Sequence, residues 1–273
     1  MLSHLDDVIT KHRSLLQRMP FTQVVDKARY RVLVDETTVI DTVHGYQMYV
    51  DPEDTSVSRR LWRDGDFQPT LTEYFKSVIE PGMTVVDVGA HIGYFSLLFG
   101  KLVGTGGWVR SFEPMPRNFS LLSRNITLNE YDHITADRLA IATDIGEQHL
   151  AVKRGNTGGH SIVEQKQQDS DTVSQITVET KPLDSVVDAV DVLKVDVEGA
   201  EDQVLRGGIA VIEAHRPLIV IEWNPDDWHV DAKTTLAPLF DLGYGMYDPA
   251  TNRELTIRDA NTKAVSDVVL NCK

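Results

Sequence analysis

The spacing of apolar positions changes several times along this chain, and each change marks an element. In residues 2–19, Leu2, Leu5, Val8, Ile9, Leu15, Leu16 and Met19 recur near helical spacing, and Pro20 ends the run. Between residues 29 and 50 the period falls to two. Tyr30, Val32 and Val34 alternate with polar neighbours, and Tyr46, Met48 and Val50 do so again. Two or three strands joined by polar turns are expected there. Residues 1–68 thus read as an N-terminal extension, a helix followed by a small antiparallel sheet, and residues 69–273 as the main domain.

From about residue 70 strands and helices alternate. A helix over Leu71–Ile79 stops at Pro81-Gly82, and Thr84–Val88 is a strand. A helix runs from near Ile92 to Leu102, and Trp108–Phe112 is the second strand. Pro116 suits a first helical turn, and its helix reaches about Asn129. A third strand is expected near Ile134–Ile141. Residues 145–181 are polar and uneven, with Gly155, Gly158 and Gly159, and read as an insertion holding a strand or two. Val192–Val195 is the fourth strand, with a helix from Glu198 to about Ala214. Leu218–Ile221 is a continuous apolar run, as in a strand buried on both faces. A helix through Leu236–Leu242 and a hairpin around Pro249–Asn252 follow. Alternation of this kind implies an α/β fold, a doubly wound, mostly parallel sheet.

Ligands of such sheets bind beyond the carboxyl ends of the strands. Acidic residues stand at four of those ends: Asp87, Glu113, Asp196 with Glu198 and Glu201, and Glu222. Gly89 and Gly93 would let the backbone turn sharply and approach a ligand. The helix that follows offers N–H groups to an anion. A dinucleotide site reads G-x-G-x-x-G. Matching its middle glycine to Gly89 puts Asp87 on the first and Ile92 on the third, so two of three fail. An ionised Asp87 would also repel a pyrophosphate. S-adenosylmethionine carries an ammonium and a sulfonium beside one carboxylate. Asp87 would attract the ammonium, helix N–H groups would take the carboxylate, and Glu113 would accept both ribose hydroxyls.

Val86-Asp87-Val88-Gly89-Ala90-His91-Ile92-Gly93-Tyr94 and Ser111-Phe112-Glu113-Pro114 resemble the first two motifs of class I methyltransferases, a Rossmann-like fold. The run Leu193-Lys194-Val195-Asp196-Val197-Glu198-Gly199-Ala200-Glu201, with Leu183-Asp184 upstream, is similar to the signature of FkbM-type methyltransferases. The resemblance covers roughly residues 65–225. It implies an O-methyltransferase acting on hydroxyls of sugars and polyketide-type natural products. It also implies a cofactor pocket of Asp87, Gly89, Ala90, Tyr94, Glu113, Asn118 and the Leu139-Ala140 backbone. Gly93, Pro114, Asp196 and Glu198 are taken as cofactor-binding with them. His91 departs from the family, where asparagine is commoner.

The base that takes the hydroxyl proton is expected among Asp196, Glu222 and His160, in that order. Alternatively Asp196 and Glu222 hold a divalent cation, magnesium or calcium, against a sugar diol; the sequence leaves the metal undecided. Trp223 and Trp228 either pack a sugar face or fill a groove. The rival reading is a nucleotide-binding reductase, or a non-catalytic nucleotide-binding protein, on the same fold.

Composition narrows the partners. The 273 residues carry 41 acidic and 27 basic side chains, a formal net charge of −14, which argues against nucleic acid and suits a neutral or cationic small molecule; a glycan substrate is what the resemblance implies. The one cysteine, Cys272, permits no intrachain disulfide. No stretch approaches the roughly 20 apolar residues of a membrane span, and Met1–Asp7 lacks the apolar run of a signal peptide. A cytoplasmic enzyme is expected, with the stripe in residues 2–19 packing on the domain or against a second subunit in a homodimer.

Overall fold

The computed structural model describes residues 30, 33–153, 172–261 and 265–272. Strands β1 (Val39–Asp41) and β2 (Gln47–Tyr49) form an antiparallel hairpin. Helices α1 (Val57–Asp64) and α2 (Pro69–Val78) follow. α1 ends at Gly65 in the left-handed conformation, the usual exit from a helix. α2 opens on Pro69, whose missing N–H needs no partner in a first turn.

The alternating region supplies β3 (Thr84–Val88), α3 (Tyr94–Val103), β4 (Trp108–Phe112), α4 (Pro116–Leu128), β5 (Ile134–Asp137) and β6 (Ala140–Ile141). The insertion is a hairpin of β7 (Gly146–Lys153) and β8 (Thr172–Lys181). The chain continues through β9 (Val192–Val195), α5 (Glu201–Gly207), α6 (Ile209–His215), β10 (Leu218–Glu222) and α7 (Ala232–Asp241). It ends in β11 (Tyr244–Tyr247), β12 (Glu254–Leu255), α8 (Ile257–Ala260) and β13 (Asp267–Cys272). Eight strands form one sheet in the order β12-β11-β13-β10-β9-β3-β4-β5. β10, β9, β3, β4 and β5 are parallel, and β13 is antiparallel to both its neighbours.

Side chains alternate across the sheet as the two-residue period requires. Val86, Val88, Leu193, Val195, Ile219 and Ile221 enter the core that holds α5–α7. Val85, Val192 and Val220 enter the opposite core with α3. α3 is buried on every side from Tyr94 to Gly100, which a surface helix would not be. Tyr30, Tyr46, Met48 and Leu61 of the expected extension pack into this second core.

Four expectations change. Tyr30 and Leu33 are helical rather than extended, and Val34 N–H donates to Tyr30 O one helical turn back. The third strand breaks at Arg138-Leu139, which sends Leu139 into the cleft described below. The helix after β9 divides at Gly207-Gly208, where Gly207 leaves no room for a side chain, since a Cβ would stand 2.1 Å from Ala142 O. β13, absent from the expected elements, inserts between β10 and β11. The helical stripe of residues 2–19 lies outside the described residues.

Candidate active site

The chain steps from β3 outward through β4 to β5, then returns to β9 on the other side of β3. The strand order reverses there, and a cleft opens at the carboxyl ends. It holds about 1060 Å³ of atom-free space, part of it open to solvent. Gly89, Ala90 and His91 line it from the end of β3, and Tyr94 from the start of α3. β4 contributes Glu113 and Pro114, and α4 Asn118. Leu139 and Ala140 follow β5, and Leu150 comes from β7. β9 contributes Lys194, Asp196 and Glu198, and β10 Glu222. Val57, Phe67 and Gln68 close it from the N-terminal side. Of the expected site residues, Asp87 and Gly93 do not line the cleft, and His160 lies outside the described residues.

The turn after β3 explains its glycines differently from the expectation. Gly89 has φ +81, and a Cβ there would stand 1.7 Å from Asp196 O. The glycine is required by the close approach of the β9 end. Gly93 has φ +94, and a Cβ there would stand 2.7 Å from Leu122 Cδ1 of α4. The N–H groups of Gly89 and Ala90 both donate to Phe112 O at 3.0 Å, which leaves neither for a ligand carboxylate. His91 has φ +52, a left-handed conformation in which asparagine and histidine are both enriched; this accounts for the exchange with asparagine. Gly89→Ala is expected to lower stability by at least about 2 kcal/mol through overpacking and left-handed strain, read as a fall in melting temperature.

Asp87 stands behind the cleft wall. Its Oδ2 accepts from Ser96 Oγ at 2.7 Å, and its Oδ1 lies 3.2 Å from Lys194 Nζ. The two residues are direct partners in the β3–β9 register. Lys194 Nζ also lies 3.4 Å from Asp196 Oδ2. Burial alone would push the lysine pKa down, but the two carboxylates outweigh it and hold the ammonium charged. The acidic residue expected to attract a cofactor ammonium thus lies in an ion pair with Lys194, a residue not singled out from the sequence. Removing one partner of a buried pair costs about 3–5 kcal/mol. Lys194→Met is expected to destabilise the protein on that scale in denaturant unfolding, with Asp87→Asn in the same chain restoring part of the loss.

Glu113 is buried at the end of β4. Its Oε2 accepts from His91 N–H at 2.8 Å and its Oε1 from Met115 N–H at 2.9 Å. Burial pushes the carboxyl up to about 7, against the lowering effect of these amides and of Asn118. A carboxylate has about four acceptor positions, and with the two amides and Asn118 in place hydrogen-bonding capacity remains for a further donor.

Carboxylate oxygens of Asp196, Glu198 and Glu222 lie within 4.8 Å of one another. Burial, then the charges of Asp196, Glu198, Glu201 and Asp267, push Glu222 up to about 9. Glu201 turns inward and braces its own turn, accepting from Val197 N–H at 3.0 Å and from Gly199 N–H. Asp184 accepts from Ala210 and Val211 N–H at the start of α6. Trp223 and Trp228 are buried edge to face, ring centroids 5.3 Å apart, and Trp223 Nε1 donates to Asn261 Oδ1. They fill the groove beside β10 and present no open face to a sugar.

The family model described as "Methyltransferase FkbM domain" matches residues 87–246, which include Gly89, Glu113, Asp196 and Glu222 of the cleft. The chain belongs to the FkbM methyltransferase family. Methyltransferase sdnD of Sordaria araneosa is 29% identical over 176 residues, 52% of this chain and 66% of that protein. Methyltransferase 1 of Beauveria bassiana is 29% identical over 143 residues, 45% of this chain and 57% of that protein. The matches thus take in less than two thirds of each relative's length. Among solved structures, an FkbM methyltransferase of Methylobacillus flagellatus is 16% identical with a TM-score of 0.46, covering 94% of this chain and 57% of that one.

The cofactor expected from the sequence is S-adenosylmethionine. The residues present fit that group. Glu113 lines the cleft with acceptor capacity left for a ribose hydroxyl, and Leu139, Ala140 and Leu150 offer apolar surface on the β5 side for a base. The acidic ends of β9 and β10 suit a cationic centre.

Proposed function

We propose that this methyltransferase moves a methyl group onto a hydroxyl oxygen of a sugar, a glycan or a glycosylated natural product. The observation that carries this reading is the placement of Asp196 and Glu222 in one cleft with Gly89 and Glu113. When bound, S-adenosylmethionine supplies an electrophilic methyl on its sulfonium. The chain must then bind the nucleoside, align the acceptor and remove its proton. Glu113 is assigned to the ribose, with Ala90, Tyr94, Pro114, Asn118, Leu139 and Ala140 around the cofactor. Asp196 and Glu222 are assigned to the acceptor hydroxyl, with Asp196 and Glu198 reaching the cofactor side as well. Support for a sugar comes from the family resemblance and from these carboxylates; the buried tryptophans contribute nothing to it.

A second reading has one observation in its favour. The three carboxylates within 4.8 Å offer the oxygen-only ligation that magnesium or calcium prefers, and a cation there would hold a diol and lower its pKa. Family membership replaces the reductase alternative. The division into an extension, residues 1–68, and a methyltransferase domain, residues 69–273, belongs to the proposal; Val57, Phe67 and Gln68 make the extension part of the pocket wall. Cytoplasmic action on a small molecule and pairing of two chains through residues 2–19 belong to it too. No described helix is long and apolar enough to cross a membrane.

The experiment is transfer of isotopically labelled methyl to a panel of glycans and polyketides, with the product bond assigned by NMR. A new methyl ether supports the reading. A methyl on nitrogen, carbon or carboxylate overturns it.

A further inference from the structure

Gln68 joins Phe67 to helix α2 with three features that packing does not explain. Its backbone is left-handed, φ 45 and ψ 61, a conformation that side chains other than glycine seldom adopt. It occupies the N-cap of α2, yet its side chain makes no capping hydrogen bond, unlike the serine or aspartate usually found there. Its Oε1 is buried without a hydrogen-bond partner, and the residue lines the cleft. A buried acceptor without a donor is costly, and the cost is recovered when a ligand brings the donor. Backbone strain concentrates at ligand clamps for the same reason.

The position in the fold indicates which donor. Phe67 meets the Tyr94 ring edge to face, centroids 6.0 Å apart, and Tyr94 Oη donates to Asp66 Oδ1 at 2.6 Å. These contacts fix Gln68 beside the start of α3, at the β3 end. Glu113, Leu139 and Ala140 lie beyond the β4 and β5 ends. A nucleoside held by Glu113 therefore leaves its amino-acid tail over β3 and β9, on the side of Gln68. That tail carries an ammonium, a triple donor, beside a carboxylate.

We propose that Gln68 recognises the amino-acid end of the cofactor, its Oε1 accepting a hydrogen bond from the tail ammonium. Turned over, the same amide would donate its NH2 to the tail carboxylate, so either orientation selects the tail. This inference rests on the assignment of Glu113 to the ribose. It makes Gln68 a determinant of cofactor selectivity, separating a ligand with the tail from a nucleoside without it.

The test is calorimetric. S-adenosylhomocysteine and 5′-methylthioadenosine share the nucleoside and the sulfur, and only the first has the tail. Gln68→Leu is expected to weaken S-adenosylhomocysteine binding by about 10- to 100-fold, the loss of one hydrogen bond to a charged group, and to change methylthioadenosine binding less than twofold. Gln68→Gly accepts the left-handed backbone without strain and should show the same selectivity with an equal or higher melting temperature. Unchanged S-adenosylhomocysteine affinity in the glycine variant overturns the proposal. So does an equal loss for both ligands, or an effect confined to the KM of the acceptor. Should Glu113→Gln leave both affinities intact, the ribose assignment fails instead, which keeps the two failures distinct.

Discussion

Glu113→Ala is expected to weaken S-adenosylhomocysteine binding by at least about tenfold, since a hydrogen bond to a charged acceptor is worth roughly 1.5–3 kcal/mol. The alanine also orphans the His91 and Met115 N–H groups that the carboxylate now satisfies. Glu113→Gln, which keeps one carbonyl oxygen and the side-chain volume, is the companion variant. The pH dependence follows from burial, which pushes the carboxyl up to about 7. Only the ionised form keeps an acceptor position for a ribose hydroxyl beside the protein donors, so affinity should rise as pH increases from 6 to 8 and then level off. Ligand hydroxyls favour the ionised form, so binding near pH 7 should release a proton. Calorimetry in buffers of different ionisation enthalpy measures that release. The sign for stability is opposite. A carboxyl whose folded pKa lies above its unfolded value binds the extra proton in the folded state. The unliganded protein therefore loses stability as pH rises from about 4.5 through 7. Glu113→Gln should abolish the dependence of binding and lessen that of stability, to which Glu201 and Glu222, both pushed up by burial, still contribute. A proton release that persists in the glutamine variant would move the titrating group elsewhere.

In the sequence β10 was legible because a strand buried on both faces is a continuous apolar run, and β3, β4 and β9 because short apolar-rich segments alternate with helical ones even though Asp87, Arg110 and Lys194 interrupt them. Strand ends could be read next, since a doubly wound sheet turns them into one cleft, and Glu113, Asp196 and Glu222 all reach it. Contacts between elements were not legible. Asp87 reads as an open strand-end acid until the register sets it opposite Lys194. The one available signal was a charged residue inside the apolar run Val192–Val195, which a buried strand tolerates only with a partner. Gly89 has a glycine's usual meaning in a phosphate or carboxylate loop, but its reason is the Asp196 carbonyl across the sheet. Trp223 and Trp228 look like a sugar platform in one dimension and are a packed pair in three. Gln68 leaves no trace at all, since neither a left-handed angle nor an unsatisfied oxygen is written in residue type. β13 was missed because it enters the sheet out of order, between β10 and β11.

Glu222→Gln is expected to lower methyl transfer by about 10²- to 10⁴-fold, the usual contribution of a positioned base, with S-adenosylhomocysteine affinity nearly constant. The variant keeps shape and removes charge, so a loss in turnover without a loss in cofactor binding places the residue at the acceptor. The pH profile and a chelator then separate its two possible tasks. Burial and the neighbouring carboxylates push Glu222 up to about 9, so the free protein holds it protonated at pH 7. As a direct base it would act only in the ionised fraction. Turnover should then climb with pH towards 9 and be indifferent to EDTA. A divalent cation on Asp196, Glu198 and Glu222 would offset the mutual repulsion that raises the pKa. Turnover would then be high already at pH 7, fall on chelation and return with magnesium. The unfolding midpoint gives the same answer without turnover. Magnesium should raise it in the wild type and not in Glu222→Gln if the three carboxylates bind the ion. Full activity in both Glu222→Gln and Asp196→Asn would remove the reacting centre from the ends of β9 and β10. The acceptor would then have to approach from the Phe67–Gln68 side of the cleft, where the lining is aromatic and amide rather than carboxylate.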